Sequence, residues 1–136
     1  MSGEGMALVR AAEALLGCRF RLHGRDPATG LDCVGLVVAA LKAIGRPVRP
    51  PTGYGLRNRR IDAALVPPAG LVETSGNIQP GDIVLAAPGP LQHHLLIAGR
   101  DGCRFIHAHA GLRRVVETPG PIPWPLLHHW RLSPIN

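Results

Sequence analysis

Residues 31–44 read LDCVGLVVAALKAI and decide the fold, because they hold the longest apolar helical stretch of the chain. Positions 33–44 are apolar almost all round, which is typical of a helix buried at the centre of a domain. Asp32 is a favourable N-cap residue, and Gly45 is a favourable stop signal. The sequence therefore predicts a central buried helix that begins at Cys33.

Cys33 falls in the first turn of this helix, where unpaired backbone N–H groups and the helix dipole favour an anion. Such a position stabilises a thiolate, and the same N–H groups can hold a tetrahedral oxyanion. A lone cysteine on a helix is nevertheless more often an inert, small core residue. Cys33 is therefore a candidate nucleophile only if a base lies beside it.

The rest of the chain predicts one more helix followed by an antiparallel sheet. Apolar residues recur at helical spacing over 6–16, and Gly17 ends that helix. Residues 18–31 and 46–80 are rich in turn-forming residues and predict loops, with one helical turn near 59–65. Strand-like runs cover 82–87, 94–99, 104–109, 113–117 and 128–132. This order of elements predicts an α+β fold.

The Asp-Gly dipeptide at 101–102 predicts a two-residue hairpin turn between the second and third of these strands. In that register His94 faces His109, and His107 lies on the same side of the ribbon. All three imidazoles then share one face of the sheet. If the N-terminus of the buried helix packs on that face, Cys33 meets His94, with His107 or His109 behind it.

Two other interpretations of these histidines stay open. A three-residue loop would put His93, instead of His94, on the face that carries the other imidazoles. Three imidazoles on one face could also bind zinc, with Cys33 or Cys103 completing a tetrahedral set.

Composition limits the class of protein. The 136 residues are 46% hydrophobic, which is enough for a single domain, residues 1–136, with a buried core. The formal net charge is +6, and every basic residue except Lys42 is an arginine. This charge is compatible with an ordinary solvated surface or with an anionic partner. Aromatic residues make up only 4%, which is low for base stacking, so nucleic acid is not an expected partner.

The cysteine count and the N-terminal sequence indicate the cellular compartment to be expected. An odd count of three cysteines argues against a disulfide framework, and the absence of a CxxC pair argues against a cysteine-rich zinc site. No segment has the pattern of a signal peptide or of a membrane span, so no membrane insertion is expected. We therefore expect a soluble protein that is cytoplasmic as synthesised.

Several motifs together resemble the NlpC/P60 family of cell-wall cysteine peptidases. Residues 31–37, LDCVGLV, are similar to the family's Asp-Cys-Ser-Gly-Leu-Val signature at the start of a helix. Residues 79–84, QPGDIV, resemble its Pro-Gly-Asp strand, and 94–97, HLLI, resemble its His-Val-Gly-Ile strand. Residues 104–108, RFIHA, are similar to its Phe-Ile-His-Ala strand. The segment 16–20 is similar to its Gly-x-Pro-Tyr segment, and the resemblance covers nearly the whole chain.

The resemblance implies a papain-like fold, in which the cysteine-bearing helix packs on a C-terminal antiparallel sheet. It implies hydrolysis of peptidoglycan stem peptides, usually between D-glutamate and a diamino acid, without a cofactor or a metal. Carried over by position, Cys33 is the nucleophile, His94 the base and His107 the residue that orients the base. Asp32 corresponds to a residue that, in some members, recognises a free amine of the stem peptide, and His109 is a further expected substrate-binding residue.

The chain departs from the family pattern at substrate-binding positions. Val34 replaces the usual serine, Phe20 replaces the usual tyrosine, and Leu96 replaces a glycine beside the base. The short chain looks like the phage-type branch, which implies phage tail or gene-transfer-agent proteins as partners and action in the periplasm as part of a phage-like particle. The alternatives are a zinc-binding histidine cluster and a catalytically inactive tail-assembly module.

Overall fold

The computed structural model describes residues 3–46 and 70–133, so the helical turn predicted near 59–65 lies outside the described residues. The elements in chain order are α1 (Gly3–Glu13), β1 (Arg25–Asp26), β2 (Gly30–Leu31), α2 (Cys33–Ala43), β3 (Leu71–Glu73), β4 (Ile83–Gly89), β5 (Gln92–Ala98), β6 (Arg104–His109), β7 (Arg114–Pro119) and β8 (Leu126–Leu132). Strands β3 to β8 form one antiparallel sheet in the order β3-β8-β4-β5-β6-β7, and β1 pairs with β2. The predicted α+β class is confirmed.

Helix α2 begins and ends where the sequence predicts. The Asp32 side chain accepts a hydrogen bond of 2.8 Å from the backbone N–H of Gly35, which caps the helix in front of Cys33. Gly45 follows the last turn with a φ of +81°, a conformation that favours glycine. A Cβ atom on Gly35 would lie 2.0 Å from the carbonyl oxygen of Gly24, so the absence of a side chain lets the preceding loop pack on the helix.

Helix α1 differs slightly from its predicted range. It spans Gly3–Glu13 instead of 6–16, because residues 14–17 already form a turn. Within residues 3–46 and 70–133, neither helix is long and apolar enough to cross a bilayer.

All five predicted strands are present as β4 to β8, with some shifts at their ends. Sequence periodicity missed the short strands β1, β2 and β3, since two or three residues are too few to show alternation. The predicted loop 18–31 therefore contains a small ribbon. It also extends the large sheet, because Arg19 bridges Arg114 at the start of β7 and Phe20 bridges Leu31.

The sheet buries a different cluster on each side. One side, the helix face, packs against α1 and α2; its residues are Ile83, Leu85, Leu95, Ile97, Ile106, Ala108, Val115, Trp130 and Leu132. The other side, the outer face, has a smaller cluster; its residues are Val84, Ala86, Leu96, Ala98 and Phe105. Partly buried residues of the 119–125 segment, Ile122 and Trp124, cover the outer face.

The β5–β6 hairpin has the predicted register but not the predicted turn. Gly99 N–H donates to the carbonyl of Arg104 at 2.7 Å, and Gly102 N–H donates to the carbonyl of Gly99 at 3.0 Å. The loop therefore contains the four residues 100–103, and the expected two-residue turn at 101–102 is wrong. The predicted loop of two residues and the observed loop of four are both centred on residues 101–102, so they give the same facing pairs. The register that would put His93 with the other imidazoles is therefore excluded.

Candidate active site

The three histidines of the hairpin, His94, His107 and His109, lie on the outer face, as its register predicts. His94 pairs with Ala86 of the outer-face cluster, and His107 and His109 alternate with helix-face residues along β6. His94 Nε2 lies 2.8 Å from His107 Nδ1, and the two rings meet edge to face. The rings of His107 and His109 are 5.6 Å apart between centroids. By the same alternation, His93 belongs to the helix face.

The His94–His107 contact lies where strands β5 and β6 separate. Their ladder consists of the pairs Ile97–Ile106 and Ala98–Phe105, although both strands continue beyond these pairs toward the histidines. The imidazole contact therefore bridges an open end of the ribbon, where the backbones no longer bond to each other.

A threonine extends this pair into a chain of three side chains. His107 Nε2 lies 3.1 Å from Thr118 Oγ1, so both ring nitrogens of His107 have a partner. Burial, together with the nearby His109, lowers the pKa of His107 to about 4, so this imidazole is neutral at physiological pH. Thr118 falls just outside the predicted strand 113–117, and its partner on β6 depends on a β6–β7 register that the sequence does not define.

Cys33 is the first residue of α2 and packs, partly buried, against the helix-face cluster. The body of α2 lies on the helix face, so the condition that the helix packs on the face of the histidines is not met. The β-bridges nevertheless connect the two regions. Arg114 pairs with His109 on one side and with Arg19 on the other. Phe20, which follows Arg19, bridges Leu31. The segment that precedes α2 is thus paired with the start of β7, while Cys33 packs on the helix face and His94 belongs to the outer face.

Asp32 is 3% exposed, and both of its carboxylate oxygens accept hydrogen bonds. One oxygen accepts from Gly35 N–H at 2.8 Å and from the Arg25 guanidinium at 2.9 Å. The other accepts from His23 N–H at 2.8 Å. The carboxylate next to Cys33 is thus paired with Arg25, and it joins the loop at His23 and Arg25 to the first turn of α2.

The other residues expected to bind substrate lie in different environments. Val34 is 1% exposed and packs in the helix-face core, so its side chain is not presented to a cleft. Phe20 is half-buried and contacts the same core. His109 lines an open pocket of about 260 Å³ on the outer face, together with Leu96, Phe105, His107, Thr118, Ile122 and Trp124.

The described residues show no set of side chains arranged as zinc ligands. Within residues 3–46 and 70–133, no three His, Cys, Asp or Glu side chains are arranged to hold a metal ion. His107 also has both ring nitrogens committed to His94 and Thr118. The zinc interpretation therefore has no support in the described residues.

Comparison with known proteins identifies the fold. No family model and no curated protein matches the sequence. The chain is similar to NlpC1 from Trichomonas vaginalis, with a TM-score of 0.72, 21% identity and coverage of 96% of this chain and 46% of that one. It is similar to an NlpC/P60 family protein from Bacillus cereus, with a TM-score of 0.64, 20% identity and coverage of 96% and 40%.

A third structure covers the isolated domain. The NlpC/p60 domain of the peptidoglycan hydrolase SagA gives a TM-score of 0.57 at 24% identity, with coverage of 85% of this chain and 88% of that one. The chain spans about half the length, or less, of the two longer structures. The expected papain-like NlpC/P60 fold is confirmed.

Proposed function

We propose that this domain is a cysteine peptidase that hydrolyses peptidoglycan stem peptides. The observation that carries the proposal is the 2.8 Å contact between His94 and His107. The shared fold supports it, since one protein with that fold is described as a peptidoglycan hydrolase. In this proposal Cys33 is the nucleophile, His94 the base and His107 the residue that orients the base.

The hydrogen-bond chain is compatible with a base at His94. If Nε2 of His94 carries a hydrogen, it donates to Nδ1 of His107, and Nδ1 of His94 keeps a lone pair that can accept a proton. His107 then carries its hydrogen on Nε2 and donates to Thr118. This arrangement requires a neutral His107, in agreement with its pKa of about 4.

The reaction follows from these roles. The Cys33 thiolate attacks the carbonyl carbon of the scissile bond, and N–H groups at the start of α2 stabilise the oxyanion. The imidazolium of His94 protonates the leaving amine, which leaves a thioester on Cys33. His94 then takes a proton from water, the hydroxide attacks the thioester, and the carboxylate product and the thiol are released.

We further propose that the bond is the one between D-glutamate and a diamino acid. Phe20, His109 and the backbone at Val34 would line the substrate cleft. Asp32 would define its shape, but Arg25 reduces its attraction for a substrate amine. On the resemblance alone, we propose that phage tail or gene-transfer-agent proteins bring the domain from the cytoplasm to the periplasm. Co-purification with such particles tests this last step.

Turnover of a synthetic stem tetrapeptide by the wild-type chain and by Cys33→Ala tests the chemistry. We expect cleavage by the wild type and a loss of at least about 1000-fold in kcat for the variant, because the nucleophile is removed. His94→Ala should lose a comparable factor. If neither the wild type nor the variant cleaves any of several stems, the inactive assembly module is the better interpretation.

The pH dependence of Cys33 alkylation by iodoacetamide gives a second, substrate-free measurement. An activated thiolate reacts with an apparent pKa well below the value of about 8.5 for an ordinary thiol. An apparent pKa above about 8 would contradict an activated nucleophile.

A further inference from the structure

The open pocket on the outer face adjoins the histidine pair but does not include His94. His107, His109 and Thr118 line it. Trp124 also lines it and packs edge to face against His94, with the ring centroids 5.9 Å apart. His107 contacts His94 through one ring nitrogen and Thr118 through the other. The rings of His107 and Trp124 therefore separate the pocket from His94.

One wall of the pocket is the segment 119–125, which is fixed at both ends. Gly120 N–H donates to the carbonyl of Cys103 at 2.7 Å, and Ala87 N–H donates to the carbonyl of Pro125 at 2.9 Å. Four of the seven residues are prolines. Proline fixes its own φ and has no N–H, so this wall is stiff and offers few hydrogen-bond donors. The pocket is therefore preformed, and polar recognition depends on the strands.

A fixed imidazole supplies one donor on the strand side. Nδ1 of His109 accepts a hydrogen bond of 3.0 Å from Leu112 N–H, so the neutral ring carries its hydrogen on Nε2. A Cβ atom on Gly111 would lie 3.0 Å from Cε1 of His109, so the glycine lets the turn pack closely on the ring. In residues 3–46 and 70–133, no group accepts a hydrogen bond from Nε2.

A hydroxyl group supplies the second donor. When Thr118 Oγ1 accepts the hydrogen on Nε2 of His107, its own O–H hydrogen stays available. The pocket thus has two hydrogen-bond donors, from His109 and Thr118, at its strand side.

The pocket lining carries no carboxylate, guanidinium or ammonium group among the described residues, although the chain has a formal net charge of +6. His107 is neutral, because its pKa is about 4. The remaining lining residues are apolar: Leu96, Phe105, Pro119, Pro121, Ile122, Pro123 and Trp124. An ion would lose its hydration here without gaining an opposite charge, so the lining favours an uncharged ligand.

The volume fits one substituted ring. The pocket has about 260 Å³, and an apolar cavity of about 150 Å³ holds benzene. Phe105 and Trp124 lie in the lining, and contacts between aromatic rings contribute beyond the area that they bury.

We infer that this pocket binds an uncharged aromatic ring with a carbonyl or amide oxygen, which accepts hydrogen bonds from His109 and Thr118. The inference does not depend on cysteine chemistry. Phe20 and Val34 pack on the helix face, so the pocket shares only His109 with the proposed substrate cleft.

Calorimetric titration of benzamide into the full-length chain tests the inference, because this compound combines the ring and the acceptor. We expect a Kd of about 1 mM, which is realistic for so small a ligand. Benzoate has the same shape but a negative charge, and it should bind at least about 10-fold more weakly. Cyclohexanecarboxamide, which lacks the aromatic ring, should bind about 3-fold more weakly.

Three variants locate the binding site. Ile122→Trp places a larger side chain in the pocket wall and should abolish binding of benzamide. His109→Phe keeps a ring but removes the N–H donor, so the affinity should fall about 5-fold. His128→Phe is the matched control on β8, where His128 contacts Glu73, and should leave the affinity unchanged. Urea unfolding shows whether each variant folds, and His109→Phe decides if Ile122→Trp does not.

Several outcomes overturn the inference. Absence of saturable binding in the millimolar range, or equal affinity for benzamide and benzoate, would contradict it. An affinity that His109→Phe leaves unchanged would contradict the assigned donor. If N-acetyl-phenylalaninamide binds more tightly than benzamide, the natural ring belongs to a polypeptide; weaker binding indicates a free small molecule. Failure of the wild type to cleave stem peptides would reject the peptidase and leave this site intact, since binding requires no turnover.

Discussion

The two faces of the central sheet are built for different purposes. The helix face is made of aliphatic residues and Trp130, and both helices cover it. The outer face has a smaller apolar cluster, an open pocket of about 260 Å³ and, among the described residues, four histidines: His94, His107, His109 and His129. A closely packed face stabilises the fold. A face with polar groups and open space contributes less packing energy, but its side chains are accessible to a ligand. Stability and reactivity should therefore respond differently to changes on each face.

Adjacent residues on β5 allow a matched comparison of packing. Ile97 is 0% exposed on the helix face, and Leu96 is 2% exposed on the outer face beside the pocket. Truncation of a buried aliphatic side chain to alanine costs about 2–5 kcal/mol, depending on how well the site is packed. We expect Ile97→Ala to lower the free energy of unfolding by about 4 kcal/mol and Leu96→Ala by about 2 kcal/mol.

Urea unfolding of the two variants and of the wild type measures this difference, provided that the m-values stay equal. Exposed Leu112→Ala serves as the control and should change the free energy by less than about 0.5 kcal/mol. Equal losses for the two β5 variants would mean that the outer face is packed as tightly as the helix face.

The sequence predicted the parts of the fold that depend on local signals. The apolar run after Asp32 predicted α2. The predicted pairing of β5 with β6 is correct, although the loop between them has four residues instead of two. Alternation shows which residues share a face, but not which of the two faces a helix will cover. That is why α2 was expected on the side of His94 and lies on the other. Thr118 was missed for a related reason, since only the β6–β7 pairing brings it to His107.

The buried imidazole of His107 should make stability depend on pH. Its folded-state pKa, about 4, lies below the unfolded value of about 6.5, so the unfolded chain binds a proton more readily. This contribution to stability is complete above about pH 6.5 and is lost as the pH falls toward 4. The shift corresponds to about 3 kcal/mol.

Urea unfolding between pH 4 and pH 7 measures this loss, and His107→Gln separates it from the titration of carboxyl groups. The neutral variant should lose about 3 kcal/mol less than the wild type over that range. Asp82 contributes to both proteins alike: burial would raise its pKa, but hydrogen bonds from Arg131, Gln79 and His129 lower it. Parallel pH profiles for the variant and the wild type would show that His107 does not titrate as a buried group.

The smallest expected effect concerns Thr118, whose hydroxyl contacts His107 and reaches His94 only through that ring. Thr118→Val removes the acceptor for His107 Nε2 and keeps the shape of the side chain, so the imidazole can no longer hold the tautomer that leaves His94 basic. We expect kcat/KM to fall about 10-fold with KM unchanged, equivalent to about 1.4 kcal/mol. Thr118→Ser should restore most of the activity, because it retains the hydroxyl. A loss that serine does not rescue, or one accompanied by an equal fall in stability, would assign Thr118 to packing alone.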